Sequence, residues 1–173
     1  MFGGRHPYLK AIVTGGVLAG AFDIVYAFVF YGMRGIPPMR ILQSISSGLL
    51  GDASYSGGLV SASLGIALHF LILIVAASIY CWASQQIAWL IRHAVVSGAF
   101  FGLCIFAVMN FVVVPLSAFP HKLSYPPVVL ITGLLVHMFL VGVPIALCIR
   151  FAALRAAVQA KKEHDNPVSR IDL

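Results

Sequence analysis

Four long apolar runs, separated by short polar segments, dominate the pattern of this chain. The runs extend over about 11–31, 59–80, 94–114 and 128–151. A helix of about 20 apolar residues crosses the hydrocarbon core of a bilayer, so each run is long enough to span it. The pattern therefore predicts an all-α integral membrane protein in which four transmembrane helices form a bundle. We assign a single transmembrane domain to 1–160, followed by a polar tail over 161–173.

The segment between the first two runs has a shorter, amphipathic pattern. Pro37 and Pro38 can begin a helix, because the first helical turn tolerates proline. Apolar and polar side chains then fall on different faces, with Met39, Leu42, Ile45 and Leu49 against Arg40, Gln43, Ser44 and Ser47. About three helical turns are too short to span a bilayer. We predict an amphipathic helix over about 37–50 that lies in the membrane interface or enters the membrane as a re-entrant piece.

The low content of charged residues supports the membrane assignment. Charged residues make up 9% of the chain and hydrophobic residues 61%, whereas about a quarter of the residues in soluble proteins are charged. The net charge of +6 could suggest nucleic acid as a partner, but the charges lie at the ends of the apolar runs. They fit better as topology signals and as contacts with anionic lipids of the bilayer.

The distribution of lysine and arginine predicts the orientation. A cytoplasmic N-terminus would place eight of these residues inside and three outside. The inner ones are Arg5, Lys10, Arg92, Arg150, Arg155, Lys161, Lys162 and Arg170, and the outer ones are Arg34, Arg40 and Lys122. Because cytoplasmic loops carry an excess of Lys and Arg, we expect both termini in the cytoplasm and a multi-pass protein of the inner membrane.

The runs also resemble one another in pairs. The first and third contain the similar segments VLAGAF and VVSGAF, and the second and fourth share a glycine four residues before a histidine. One hypothesis is a duplicated helix pair with its axis along the membrane normal, in which the second and fourth helices face each other. The alternative is the common composition of packed membrane helices, in which small residues permit close approach. Such residues in the first and third runs are Gly16, Gly20, Gly98 and Gly102.

Four polar residues, one in each run, fall at a similar depth slightly outside the midplane. They are Asp23, His69, Asn110 and His137. An aspartate near the centre of a lone helix costs on the order of 3 kcal/mol to insert, so it rarely faces lipid. One role for this polar layer is structural, because interhelical hydrogen bonds hold membrane bundles together.

A second hypothesis for the layer is a haem or metal site. His69 and His137 on opposed helices could bind the iron of haem b from both sides as axial ligands. Gly65 and Gly133 would leave room for a porphyrin edge, and Asp23 could orient one imidazole through its second nitrogen. A bare zinc or copper ion fits less well, because only one carboxylate is near. The chain would then be a b-type haem subunit.

A third hypothesis is a proton or small-solute path. Aspartate and histidine at membrane depth are the usual parts of proton relays, with Asp23 and Asn110 as relay or supporting groups beside the histidines. Four helices in one chain enclose a narrow path. This function therefore predicts a homo-oligomer or a place in a larger membrane complex.

Recognisable catalytic motifs are missing from the sequence. It has no Ser/His/Asp spacing, no His-Glu-x-x-His and no glycine-rich phosphate loop, and Asp23 is the only carboxylate within an apolar run. We therefore expect a non-enzymatic protein.

Several apolar segments resemble those of a known family. They are 79–81 (IYC), 95–100 (VVSGAF), 113–116 (VVPL) and 133–136 (GLLV). With these segments the chain resembles the YagU-like bacterial inner-membrane proteins over about half of its length. The resemblance implies a four-span inner-membrane protein, and it carries over neither histidine and no functional residue.

Overall fold

The computed structural model describes residues 6–121 and 126–165, and the regular structure in these ranges is entirely helical. Four of its helices are long and apolar enough to cross a membrane, and we call them spans 1 to 4: Pro7–Gly32, Gly58–Gln86, Ala94–Leu116 and Pro127–Lys162. They confirm the predicted all-α bundle. Of the residues used for the orientation and the tail, Arg5, Lys122, Arg170 and 166–173 lie outside the described residues.

The helices follow the chain in a simple order, with one π-helical turn inside each of spans 3 and 4. The elements are α1 (His6–Gly32), α2 (Pro38–Leu50), a 3-10 helix (Gly51–Ser56), α3 (Gly58–Gln86), α4 (Ala88–Arg92), α5 (Ala94–Val108), a π turn (Met109–Val113), α6 (Val114–Leu116), α7 (Pro127–Val136), a π turn (His137–Gly142) and α8 (Val143–Asp165). Helix α8 thus continues into the predicted polar tail.

Proline and glycine set the boundaries of α2. Pro37 is extended at the N-cap (φ −69°, ψ 151°), and Pro38 occupies the first turn, where its missing N–H costs no hydrogen bond. Gly51 ends the helix with a φ of 59°, a conformation that other residues rarely adopt. This helix is the amphipathic one predicted over about 37–50.

Span 1 contacts both span 2 and span 4, and span 3 packs on span 4. The main buried core fills the half of the bundle where α1 begins and α8 ends, which we call the terminal end. Its members are Ala11, Ala19, Leu73, Ala77, Tyr80, Cys81, Ala94, Val141, Ile145, Ala146, Ile149 and Ala152. The opposite end, which we call the outer end, holds α2. The predicted polar layer lies between this core and the outer end.

The two predicted helix pairs do not pack equivalently. Span 1 packs closely along span 4, but the corresponding contact of span 3 with span 2 is much less extensive. That contact includes Tyr80, whose hydroxyl lies 2.7 Å from Ser97 Oγ and whose ring meets the ring of Phe101. The packing of the four spans is therefore asymmetric.

Glycines bring the backbones of spans 3 and 4 into contact, as small residues do in membrane helices. An ideal Cβ at Gly102 would overlap the carbonyl oxygen of His137, and one at Gly142 would overlap that of Gly98. Span 1 approaches span 2 at two further positions, where Gly16 faces the backbone of Ile74 and Gly20 faces the ring of Phe70. The structure confirms the predicted close approach at these glycines.

A π-helical turn interrupts span 4 just before Pro144. Proline removes one backbone N–H, and its ring crowds the carbonyl four residues earlier. Span 3 has a related arrangement, with its π turn just before Pro115. Single π turns are rare in helices and are frequent at functional sites. Each of these turns holds one residue of the predicted polar layer, Asn110 in span 3 and His137 in span 4.

Helix α2 buries mostly polar residues and exposes most of its apolar ones. Gln43, Ser46 and Ser47 are buried together with Ile41, whereas Met39 and Leu49 are exposed. A helix on the core of a soluble protein has the opposite arrangement. The exposed apolar face therefore suits contact with lipid.

Close backbone contact fixes α2 on span 2. An ideal Cβ at Gly65 would overlap the carbonyl oxygen of Leu42, so this glycine is needed for the contact. The Gln43 amide donates to the carbonyl of Gly58, at the start of span 2. Gly65 lies about 10 Å along the helix from Gly58. The contact of α2 with span 2 therefore extends about two helical turns from the start of that span.

Candidate functional site

His69 on span 2 is held by the backbone of span 1. Its Nε2–H donates to the carbonyl oxygen of Gly20 over 2.9 Å, and the side chain is 7% exposed. The ring of Phe70 meets the imidazole edge-on at 5.4 Å. Because a carbonyl oxygen only accepts, Nε2 carries a hydrogen in this bond. His69 therefore links two spans through one buried hydrogen bond.

His137 on span 4 has a more open and more polar environment. Its Nδ1–H donates to the carbonyl of Gly133 in the same span over 2.9 Å. The same nitrogen lies 4.0 Å from Oδ1 of Asp23 on span 1, and both side chains keep 19% of their surface exposed. In the neutral ring this arrangement leaves the lone pair on Nε2. The structure thus brings together one carboxylate and one imidazole of the predicted layer.

Both histidines contact span 1, at positions three residues apart. His69 contacts Gly20 and His137 contacts Asp23, which are separated by about 4.5 Å along the helix axis. Across residues 6–121 and 126–165, neither imidazole hydrogen-bonds to the other. Asn110 donates to the carbonyl of Phe106 within its own span. Three of the four residues of the layer, Asp23, His69 and His137, therefore meet at span 1.

A second polar contact joins spans 1 and 4 on the outer side of the Asp23–His137 pair. The hydroxyl of Tyr26 donates to Oγ1 of Thr132 over 2.8 Å. Spans 1 and 4 pack closely along α8 and the π turn but less closely along α7, where these longer side chains bridge the gap. Neither Tyr26 nor Thr132 was predicted from the sequence. The signal available there was that Tyr26 lies three residues after Asp23 and that Thr132 lies five residues before His137.

The residues present do not fit the haem hypothesis. The space beside Gly65 is filled by the backbone of Leu42, and an ideal Cβ at Gly133 would lie 2.8 Å from the ring of Phe106. No open slot for a porphyrin edge remains beside either glycine. Iron ligation through Nε2 of His69 would also require breaking its hydrogen bond to span 1.

The described residues also supply too few ligands in one place for a bare metal ion. In the described part of the chain, no group of three or more His, Cys, Asp or Glu side chains is arranged to hold a metal ion. Asp23 and His137 together supply two donor groups, whereas structural and catalytic zinc sites use three or four protein ligands.

Aromatic and basic side chains form a separate cluster at the outer end. The Arg40 guanidinium lies 4.3 Å from the ring centroid of Tyr55. His121 lies between the rings of Tyr55 and Phe119, at 5.4 and 5.6 Å. These residues line a cavity of about 370 Å³. The cluster lies beyond the polar layer, and the sequence predicted no role for His121.

Comparison with known proteins gives no information on function, so a function can be inferred only from the geometry of the site. No family model, no curated protein and no solved structure matches this chain. The resemblance to the YagU-like proteins stays a prediction.

Proposed function

We propose that this protein is a non-enzymatic membrane transporter that carries protons across the bilayer, with the Asp23–His137 pair as its proton-binding site. The observation that carries the proposal is this pair itself, with a carboxylate oxygen 4.0 Å from an imidazole nitrogen within two candidate spans. Both side chains can gain or lose a proton, and both retain some exposure. His69, with its buried hydrogen bond, has the structural role of joining spans 1 and 2.

The electrostatic interaction between Asp23 and His137 depends on whether the pair holds a proton. Two unit charges 4 Å apart interact by about 4 kcal/mol at an effective dielectric constant of about 20. With one labile proton between them, Asp23 and His137 have no net charge together. Loss of that proton leaves one negative charge deep in the bundle, which is unfavourable in an apolar environment. Proton binding and release therefore favour different arrangements of spans 1 and 4.

The π turn provides a place where span 4 can change. His137 is the first residue of this turn, and Pro144 is the second residue after the turn ends. Helices adjust more easily at such turns, because the hydrogen-bond ladder is already shifted. A change in this turn would alter the distance between His137 and Asp23.

A dense core argues for more than one copy in the transporter. Ala19, Ala77 and Ile145 are fully buried on the terminal side of the polar layer. A path from Asp23 to the terminal end through a single chain would pass through this packing. We therefore propose a homo-oligomer, or a larger membrane complex, in which the path runs between subunits.

The cations support an inner-membrane protein with both termini in the cytoplasm. Among the described residues, six lysines and arginines lie toward the terminal end and two toward the outer end. The first group is Lys10, Arg92, Arg150, Arg155, Lys161 and Lys162, and the second is Arg34 and Arg40. The positive-inside rule then makes the terminal end cytoplasmic.

Proton flux into proteoliposomes tests the function. We expect the wild-type protein to admit protons faster than empty vesicles when a pH gradient and a membrane potential are imposed. Asp23→Asn removes the titrating carboxylate with little change in shape and should reduce the flux about tenfold or more, a typical loss for an essential proton-transfer group. Asp52→Asn is the matched control, because Asp52 lies outside the four spans.

Two results would contradict the proposal. One is a wild-type flux equal to that of empty vesicles, and the other is a flux unchanged by Asp23→Asn in a correctly folded protein. Infrared difference spectra between acid and alkaline pH test proton binding without transport. The carboxylic acid band that appears on acidification should shrink in Asp23→Asn and persist in Asp52→Asn.

A further inference from the structure

A groove at the terminal end lies between the start of span 1 and the end of span 4. Its volume is about 500 Å³, and none of the described residues that line it is a carboxylate. Two cations line it, Lys10 from α1 and Arg155 from α8, together with the polar side chains of Thr14 and Gln159. Neither cation forms an ion pair with a residue of the described ranges.

The groove runs along the direction of the helices and changes character with depth. Lys10 lies about 33 Å along span 1 from Gly32, and the hydrocarbon core of a bilayer is about 30 Å thick. Lys10 is therefore at the level of the lipid headgroups. Thr14 and Cys148 line the deeper part of the groove, within the apolar runs. One end of the groove thus faces headgroups and the other faces acyl chains.

An apolar wall accompanies the cations. Phe151 is 62% exposed and lines the groove, and Ala152 forms part of its floor. A second groove of about 370 Å³ adjoins the first on the other side of Arg155 and adds Lys162. Cationic groups at headgroup level above an exposed apolar wall match an anionic phospholipid, with its phosphate and its acyl chain.

We propose that this groove binds one anionic phospholipid. The phosphate lies between Lys10 and Arg155, and an acyl chain packs against Phe151 toward Thr14. Basic pockets between transmembrane helices are known binding sites for anionic headgroups. The proposal is independent of proton transport, because the groove lies on the other side of the buried core from Asp23.

Ligand-dependent thermal stability of the purified full chain in neutral detergent tests the site. We expect phosphatidylglycerol to raise the unfolding temperature in a saturable manner, as a ligand specific for the folded state does. Phosphatidylethanolamine and inorganic phosphate should have little effect. Equal stabilisation by inorganic phosphate would overturn the lipid proposal, and so would the absence of any effect of phosphatidylglycerol.

Charge variants distinguish this groove from general attraction to a basic surface. Lys10→Gln combined with Arg155→Gln should weaken the apparent affinity for phosphatidylglycerol about tenfold or more. Lys161→Gln is the control, because Lys161 lies at the same end and lines neither groove. An equal loss of affinity in the control would show that only the overall charge matters and would overturn the proposal.

A groove-filling variant tests the acyl-chain part without removing a charge. Thr14→Phe should place a ring in the deeper part of the groove and weaken phosphatidylglycerol binding. Val13→Phe is the matched control, because Val13 is exposed beside Thr14 but does not line the groove. Unchanged binding in folded Thr14→Phe would contradict the proposed lipid position, even if the double charge variant failed to fold.

Discussion

Replacing Gly102 with alanine tests whether the position of His137 depends on backbone contact between spans 3 and 4. An ideal Cβ at Gly102 would overlap the carbonyl oxygen of His137 and would lie 2.6 Å from its carbonyl carbon and 2.9 Å from Cα of Met138. Ordinary contacts begin near 3.4 Å, so the two backbones must separate by about 0.8 Å to relieve the contact with the carbonyl carbon and by more to relieve the overlap with the carbonyl oxygen. Backbone atoms cannot rotate away as a flexible side chain can.

The expected cost follows from this overlap. Forcing an extra methyl group into a packed contact typically costs about 1–3 kcal/mol, and the better helix propensity of alanine returns up to about 1 kcal/mol. We therefore expect Gly102→Ala to have a free energy of unfolding about 1–3 kcal/mol lower than that of Gly32→Ala, in which only the propensity gain applies. Gly32→Ala is the control for the propensity gain, because a Cβ at Gly32 would meet no atom within 4 Å.

Reversible unfolding in mixed micelles, followed by circular dichroism, gives the free energies for these variants. We also expect Gly102→Ala to reduce proton flux, because separation of spans 3 and 4 moves His137 relative to Asp23. If Gly102→Ala were as stable as Gly32→Ala, the backbone contact would not exist in the folded protein. Contact with span 3 would then not be what positions His137.

Three further variants test individual contacts of the polar layer and of α2. His69→Phe should lower the free energy of unfolding by about 1 kcal/mol through loss of its interhelical hydrogen bond and leave proton flux unchanged. A loss of flux with full stability would contradict its structural role. Tyr26→Phe should cost about 0.6 kcal/mol, the average for such bonds in membranes, and a double-mutant cycle with Thr132→Val should show the same coupling energy. Zero coupling would refute the bond. Gly65→Ala should displace α2 through overlap with Leu42 and accelerate limited proteolysis in the loop before α2; an unaltered digestion rate would argue against this contact.

The four spans and α2 could be predicted because each depends mainly on local sequence. A long run without charged residues indicates a membrane helix, and Pro37 and Pro38 indicate the start of another. Which face of α2 is buried was harder to predict, because the answer depends on whether the helix is surrounded by water or by lipid. In water the face with Met39 and Leu49 would turn inward, whereas here the buried positions include Gln43 and Ser46.

The polar layer could be predicted in depth but not in pairing. Counting residues from the helix ends placed Asp23, His69 and His137 at similar heights, and the contacts to span 1 agree with that. The choice of partner depends on which spans are neighbours and how they are rotated, and single-sequence patterns do not give this information. The π turn at His137 is a further example, because Pro144 indicates an interruption of the helix without indicating its form.

The repeated Gly-x-x-x-His pattern produces two different environments, and the difference follows from the neighbours of each glycine. In span 2, Gly65 receives the backbone of α2, and His69 reaches across to span 1 and is sealed there. In span 4, the carbonyl of Gly133 accepts the hydrogen bond of His137 itself, and this imidazole lies beside Asp23 instead of bonding to the backbone of another span within the described residues. A histidine that links two spans stabilises a bundle, whereas a histidine bound to its own span beside a carboxylate can exchange a proton. The similarity of the two segments in sequence is thus compatible with a structural role for one histidine and a functional role for the other.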